Sequence, residues 1–540
     1  MNIKNLILYS VIALFLSTIT TAQTNLSKVW VSDNGDGTYK NPVLNADYSD
    51  PDAVRVGDDF FLVSSSFNCT PGLPILHSRD LVNWEILTHV FSQQIPSDVF
   101  DKPQHGNGVW APSIRYHNNE FYIYYPDPDY GIYLVKANNA AGPWSKPILV
   151  KEGKGFIDPC PLWDEDGKAY LIHAYAGSRA GIKSILTVCK MNPDGTKLLD
   201  EGVMVFDGHD HHPTLEGPKF YKRNGYYYIL APAGGVSTGW QLALRSKNVY
   251  GPYDEKIVMD QGKTIINGPH QGAWVETQTG ESWFLHFQDV DAYGRIVHLQ
   301  PMKWVSDWPV IGVDEDGDGK GEPALTYKKP NVGKTYPIST IAESDEFNDV
   351  KPGLQWQWHA NPKPFWAFST GPGGYLRLFA MPLPEGFTNF WDVPNLLLQK
   401  FPAREFMVTT RLIFKPRFDG EKAGLIIMGM DYAYLSVKQA DGKLYLSYTL
   451  CKNADKKGVE KESELIPLPD KTVFLRVKIA DKAICSYSYS MDGNVFTTIG
   501  EPLTARPGRW IGAKVGLFCV RQGKINDAGF VDVDWFRVEK

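Results

Sequence analysis

The sequence predicts an all-β protein, a five-bladed β-propeller followed by a two-sheet antiparallel β-sandwich. Three observations carry that prediction. A polar turn leading into an aromatic-rich strand recurs at Gly57-Asp-Asp-Phe-Phe-Leu-Val, Asn118-Asn-Glu-Phe-Tyr-Ile-Tyr-Tyr, Asp166-Gly-Lys-Ala-Tyr-Leu-Ile, Asn224-Gly-Tyr-Tyr-Tyr-Ile-Leu and Gly280-Glu-Ser-Trp-Phe-Leu-His-Phe. Each copy has a strand before it and another strand and loop after it, and four short strands per ~50-residue unit describe a propeller blade. Beyond residue 341 the repeat gives way to longer alternating strands, and helical periodicity of any length is absent.

In chain order, residues 1–22 read as a secretory signal. Lys4 is the positive end, Leu6 to Leu16 the apolar run and Thr20-Thr21-Ala22 the small-residue cleavage site. That run is too short to span a bilayer. The expected product is exported and soluble, periplasmic or secreted. Residues 23–308 then form the propeller, beginning with Asn41-Pro-Val-Leu and Ser49-Asp-Pro-Asp ahead of the strand Ala53-Val-Arg-Val56.

Residues 309–340 break the pattern and read as a linker. Asp314, Asp316, Asp318 and Gly319 are spaced as in an EF-hand loop, but the twelfth position is Leu325 rather than the bidentate Glu. A solvated acidic turn is the expectation there, ahead of a calcium site. Residues 341–540 carry strands such as Phe406-Met-Val-Thr-Thr-Arg-Leu-Ile-Phe414 and Val473-Phe-Leu-Arg-Val-Lys-Ile, and their period-2 alternation predicts the sandwich. Ser344-Asp-Glu-Phe and Asp534-Trp-Phe are positioned to pair and seal it.

Composition excludes some functions. In 540 residues the formal charge is -6 with no basic stripe, which argues against a nucleic-acid partner. The six cysteines lack metal-site spacing and read as buried small hydrophobes. His209, His211 and His212 lack the spacing and fourth ligand of a zinc site and read as a polar rim. Aromatics at 13% suit either β structure or stacking on sugar rings.

A propeller gathers the inner-strand ends of its blades around one axial depression. Asp50, Asp158 in Gly155-Phe-Ile-Asp-Pro-Cys-Pro161 ahead of the strand Leu162-Trp163, and Glu216 in Pro213-Thr-Leu-Glu-Gly-Pro218 sit at comparable blade-entry points, each flanked by Pro or Gly. Any one alone reads as a solvated turn carboxylate. Three at matching positions in blades one, three and four form the carboxyl cluster that glycosidic bond cleavage needs. One carboxylate takes a proton from water, one carboxylic acid protonates the leaving oxygen, and a third charge keeps that acid protonated. The residues alone do not tell base from acid.

These segments, with Val56-Gly-Asp-Asp-Phe-Phe, His77-Ser-Arg-Asp-Leu-Val-Asn-Trp84, Val109-Trp-Ala-Pro112 and Leu215-Glu-Gly-Pro218, resemble glycoside hydrolase family 43 across the whole propeller. The resemblance implies an inverting exo-glycosidase with Asp50 as general base, Asp158 as pKa modulator and orienter, and Glu216 as general acid. Inversion predicts a carboxyl separation of roughly 6.5–9.5 Å.

The resemblance further implies that Arg295 reaches sugar hydroxyls, that Phe67 walls the first subsite and that Trp110 lines the pocket or its core. It places His77 among the substrate-binding residues and His270 near an axial ion, often calcium, with no organic cofactor. The second unit resembles the concanavalin-like sandwich of many members, which packs against the propeller and helps close the pocket. Independent sugar binding by Trp356, Trp358 and Trp366 is the alternative.

Phe67-Asn-Cys-Thr-Pro-Gly-Leu-Pro74 looks closer to members acting on α-L-arabinofuranosides. It also departs from the bulky aromatics of some members on the leaving-group side. The resulting expectation is release of terminal arabinofuranosyl units from xylan, xyloglucan or arabinan. An exo-β-D-xylosidase stands second, and a non-catalytic carbohydrate-binding protein is the rival from another class. The partner is the saccharide substrate; the sequence does not specify an oligomeric state.

Overall fold

The computed structural model describes residues 26–372, 374–523 and 526–540, so the signal expected at residues 1–22 lies outside the described residues. Five four-stranded antiparallel sheets follow one another in chain order. Their inner strands are Asp52–Val56, Ser113–His117, Phe156–Trp163, Lys219–Arg223 and His270–Glu276, and each leads outward through its three successors. The repeated aromatic motif is the second strand of each blade.

Strand alternation explains how the blades close into a ring. In Glu120–Asp127, Phe121, Ile123 and Tyr125 pack with Val63, Leu73 and Ile75 of the first blade. Tyr122 and Tyr124, one residue out of phase, pack with Ala169, Leu171 and Met191 of the third. Blades three and four share Ile172, Phe220 and Ile229, and blades four and five share Leu230, Phe284 and Ile311. Blades five and one share Leu285, Val275, Phe60 and Leu62. A strand buried on both faces has to be apolar throughout, which is why these segments are the most aromatic in the chain.

The stretch Asn41–Tyr48 latches onto the last blade. Leu44 and Val297 exchange backbone hydrogen bonds of 3.2 and 3.0 Å, and Tyr48 N donates to Arg295 O at 3.1 Å. The stretch expected as a linker is structured. Trp308–Ile311 is the outer strand of blade five, and Thr326–Lys328 pairs with Thr38–Lys40 ahead of the latch.

Residues beyond 341 build sheets of nine and seven strands around one apolar core that includes Val408, Leu425, Leu475 and Val533. Asp345 and Phe536 exchange backbone hydrogen bonds of 2.8 Å, the sealing pair expected from the sequence. Trp356 and Trp366 are buried, and Trp358 packs on Trp366 with ring centroids 5.4 Å apart. Trp358 also pairs its backbone with Thr70 of the propeller. These tryptophans are packing residues and form no exposed sugar platform. All six cysteines are buried and unpaired. No helix among the described residues is long and apolar enough to cross a membrane.

Candidate active site

The inner strands begin at one face of the propeller, and the acidic residues sit at those beginnings. Asp50 and Asp158 each precede a proline and both adopt φ of 56°. That is the left-handed region, strained for a residue other than glycine, and it persists only where surrounding contacts fix it. Here they do. Asp50 Oδ2 accepts from Ser49 Oγ at 2.7 Å and Ser65 Oγ at 2.5 Å, and Arg295 Nη1 lies 3.2 Å from Oδ1. The same Nη1 donates to Ser49 Oγ at 2.9 Å. Asp50 is thus a buried carboxylate held as an acceptor.

Asp158 Oδ2 accepts from Gly217 N at 2.7 Å, and Gln271 Nε2 donates to Oδ1 at 3.4 Å. Burial, and then the charge of neighbouring Glu216, raise the Asp158 carboxyl above its ordinary range; the Gly217 bond opposes this and Asp50 adds to it. The Asp158 carboxyl, raised to about 7, therefore keeps its proton toward neutral pH. Glu216 is partly exposed, and its Oε1 lies 3.1 Å from Nε2 of buried His270. Gly217 makes the juxtaposition possible. Its φ is +61°, and a Cβ there would stand 2.9 Å from Gln271 Cγ and 3.1 Å from Pro232 Cδ.

The second aspartate of the Ser49-Asp50-Pro51-Asp52 motif is a scaffold residue. Fully buried Asp52 Oδ2 accepts from Arg115 Nη1 at 2.7 Å and Ile114 N at 2.8 Å, tying blade one to blade two beneath the site.

A chain of aromatic rings leads away from Arg295, the partner of Asp50. Trp110 meets Phe67 edge-on at 6.3 Å, lies under the Arg179 guanidinium at 5.3 Å and meets Trp510 edge-on at 6.2 Å. Trp510 comes from the sandwich, in the loop Arg506–Gly512, and the Arg295 guanidinium is 5.8 Å from its ring. Trp510 and Arg179 were missed in the sequence. Trp510 is half-exposed at φ +64°, but nothing near it in the chain marks it as belonging to a site whose other residues all lie in the propeller.

His77 does not belong to the site. It lies on Gly72–Ser78 opposite Phe61, and its Nε2 pairs with Asp59 Oδ1 at 2.8 Å, beyond the Gly57-Asp58 turn. Asp50 stands at the opposite end of that inner strand, roughly 15 Å of extended chain away. The motif containing His77 is a blade-packing motif.

His270 meets Glu216 through Nε2, while its Nδ1 is buried without a hydrogen-bond partner. Calcium takes six to eight oxygen ligands. Among the described residues, the one His/Cys/Asp/Glu group with ligand atoms within 4.8 Å of one another is Asp314, Asp316 and Asp318. An ion near His270 would therefore take one nitrogen from it and most of its ligands from water, and no chemical step is routed through an ion. His209 pairs with Asp207, and His212 accepts from Trp240 Nε1, so the three neighbouring histidines do not converge.

Residues 39–309 match the sequence profile of glycosyl hydrolases family 43, and residues 344–539 match that of the beta xylosidase C-terminal concanavalin A-like domain. A putative beta-xylosidase of Xylanibacter ruminicola is 39% identical over 91% of this chain and 88% of its own length. A beta-xylosidase of Formosa agariphila is 34% identical over 93% and 90%. A non-reducing end alpha-L-arabinofuranosidase of Bacteroides ovatus is 28% identical over 92% and 94%. Among solved structures, a xylan beta-1,4-xylosidase from Bacillus halodurans superposes with a TM-score of 0.81 at 27% identity, covering 93% of this chain and all of the other. With its propeller and its sandwich each matched along nearly their whole length, the chain belongs to glycosyl hydrolases family 43.

Proposed function

We propose that this glycoside hydrolase is an exported, inverting exo-β-D-xylosidase acting on the non-reducing ends of xylo-oligosaccharides. The observation that carries the substrate is full-length similarity, at 39% and 34% identity, to two proteins named for β-xylosidase activity. The arabinofuranoside preference suggested by Phe67 to Pro74 drops to second place, kept open by the Bacteroides ovatus relative. Export rests on the pattern of residues 1–22.

Asp50 is the general base. Its Oδ2 is occupied by two hydroxyl donors, and the Arg295 guanidinium stands beside Oδ1. A water at its free lone pairs attacks the anomeric carbon from one face. Glu216 gives a proton to the departing oxygen from the other. Asp158 stands beside the acid as a charge-coupled neighbour and fixes Gly217, next to it. Arg295 and the rings of Phe67, Trp110 and Trp510 hold the terminal sugar.

The test compares kcat/KM on aryl β-D-xyloside and aryl α-L-arabinofuranoside, with NMR of the first-formed anomer. A bias to the xyloside with α-xylose released first supports the reading. A bias to the arabinoside overturns the substrate, and β-xylose overturns inversion. Glycan binding without turnover of either substrate would move the chain to the carbohydrate-binding class.

A further inference from the structure

One residue outside the motifs, Asp47, hydrogen-bonds both the sandwich and the segment that carries Arg295. Its side chain is buried between the two domains. Oδ1 accepts from the backbone N of Arg295 at 2.9 Å, and Oδ2 accepts from the backbone N of Gly512 at 3.0 Å. Its own carbonyl accepts from Lys400 Nζ, also of the sandwich, at 2.5 Å. Asp47 therefore contacts the second domain twice and the fifth blade once, three residues before Asp50.

The surrounding backbone is built to let it in. Gly294, at φ +74°, approaches so closely that a Cβ would stand 2.5 Å from Asp47 Cγ. Gly512 crosses the same point, where a Cβ would stand 2.8 Å from Gly294 N. Ala513 N donates to Ala292 O at 2.7 Å and locks the crossing. On one side of Asp47 is Arg295, whose guanidinium holds Asp50. On the other is Gly512, two residues after Trp510.

We propose that Asp47 is a positioning residue that sets Arg295 and the Trp510 loop together, making the sandwich an obligatory part of the active site. This rests on the reading of Asp50, Arg295 and Trp510 as the site. A buried carboxylate with one backbone N–H donor on each oxygen, from different chain segments, fixes their separation, and no neutral side chain of that size offers two acceptor oxygens. Asp47→Asn leaves one acceptor oxygen, and its amide NH2 would face a second donor.

The experiment is a double-mutant cycle with Asp47→Asn and Trp510→Ala in the full-length protein, read as kcat/KM on aryl β-D-xyloside and on aryl α-L-arabinofuranoside. Hydrogen exchange of residues 291–295 and 506–513 is followed in parallel. Asp47→Asn should lower kcat/KM about ten- to a hundredfold, the range for a bond to a charged group. The double variant should lose little beyond the larger single loss, because Trp510 already depends on Asp47. Exchange should quicken in the two named segments only.

Multiplicative losses, or unchanged exchange at 506–513, overturn the proposal. Quickened exchange throughout both domains also overturns it, since Asp47 would then be a general stability residue. A wild type that turns over neither glycoside refutes the proposed function, while the exchange result still decides whether Asp47 sets the loop.

Discussion

Glu216 and His270 meet across two blades, with His270 Nε2 3.1 Å from Glu216 Oε1 and the imidazole fully enclosed. The ring fixes one carboxyl oxygen and leaves the partly exposed face of Glu216 toward the pocket. A carboxyl held this way is suited to present a proton in one direction.

Replacing the acid should therefore be felt in proportion to how much the leaving group needs a proton. Glu216→Gln is expected to lower kcat on xylobiose by about 10²–10⁴, the usual contribution of a positioned acid. Aryl xylosides with acidic phenols should lose far less, because they depart as anions. A steeper dependence of kcat/KM on phenol pKa in the variant is the confirming measurement. Equal losses on all leaving groups would assign Glu216 another role.

Asp158 should act through pH. Burial and the Glu216 charge raise its carboxyl to about 7, so Asp158 is protonated below neutrality and loses that proton as pH climbs through about 7. Activity should fall on that basic limb. In Asp158→Asn the group that ionises near 7 is gone, so a basic limb set by it should move to higher pH while the maximum also drops. A profile lowered at every pH without displacement would leave Asp158 as an orienter only.

Much of this was legible in the sequence, for a local reason. The blade repeat is a short-range pattern, and an aspartate before proline at two blade starts carries its constraint in the adjacent residue. The same locality misled at His77, because a motif can identify a blade without saying which end of it faces the substrate. It also left residues 309–340 as a linker, since a four-residue outer strand such as Trp308–Ile311 has too few positions for its alternation to show. Trp510 and Asp47 were illegible because their significance is a contact spanning 465 positions, Asp47 to Gly512, set by how two domains dock.

Gly217 should tolerate nothing larger. Alanine at φ +61° costs about 1–2 kcal/mol from backbone conformation alone, and its Cβ would press on Gln271 and Pro232. Relief would shift Gln271 or the Gly217 N–H, both bonded to Asp158. Gly217→Ala should lower Tm by several degrees and kcat by more than tenfold with KM less affected. Loss of stability with full kcat would show that the backbone yields elsewhere.

Glu343 supplies a test away from the chemistry. It is buried near the junction of the domains, accepts from Ser27 Oγ at 2.9 Å and Lys28 N at 3.2 Å, and burial pushes its carboxyl up to about 7 from 4.5. The folded protein thus binds this proton more tightly than the unfolded chain. Stability from this group is full below pH 4.5 and is lost as pH rises toward 7, by about 3 kcal/mol at most. Glu343→Gln keeps an acceptor for the Ser27 hydroxyl and has no charge to bury. The variant should melt above wild type at pH 8, with the difference shrinking to nothing or reversing at pH 4. An equal difference at both pH values would mean that shape at the junction matters and the buried charge does not.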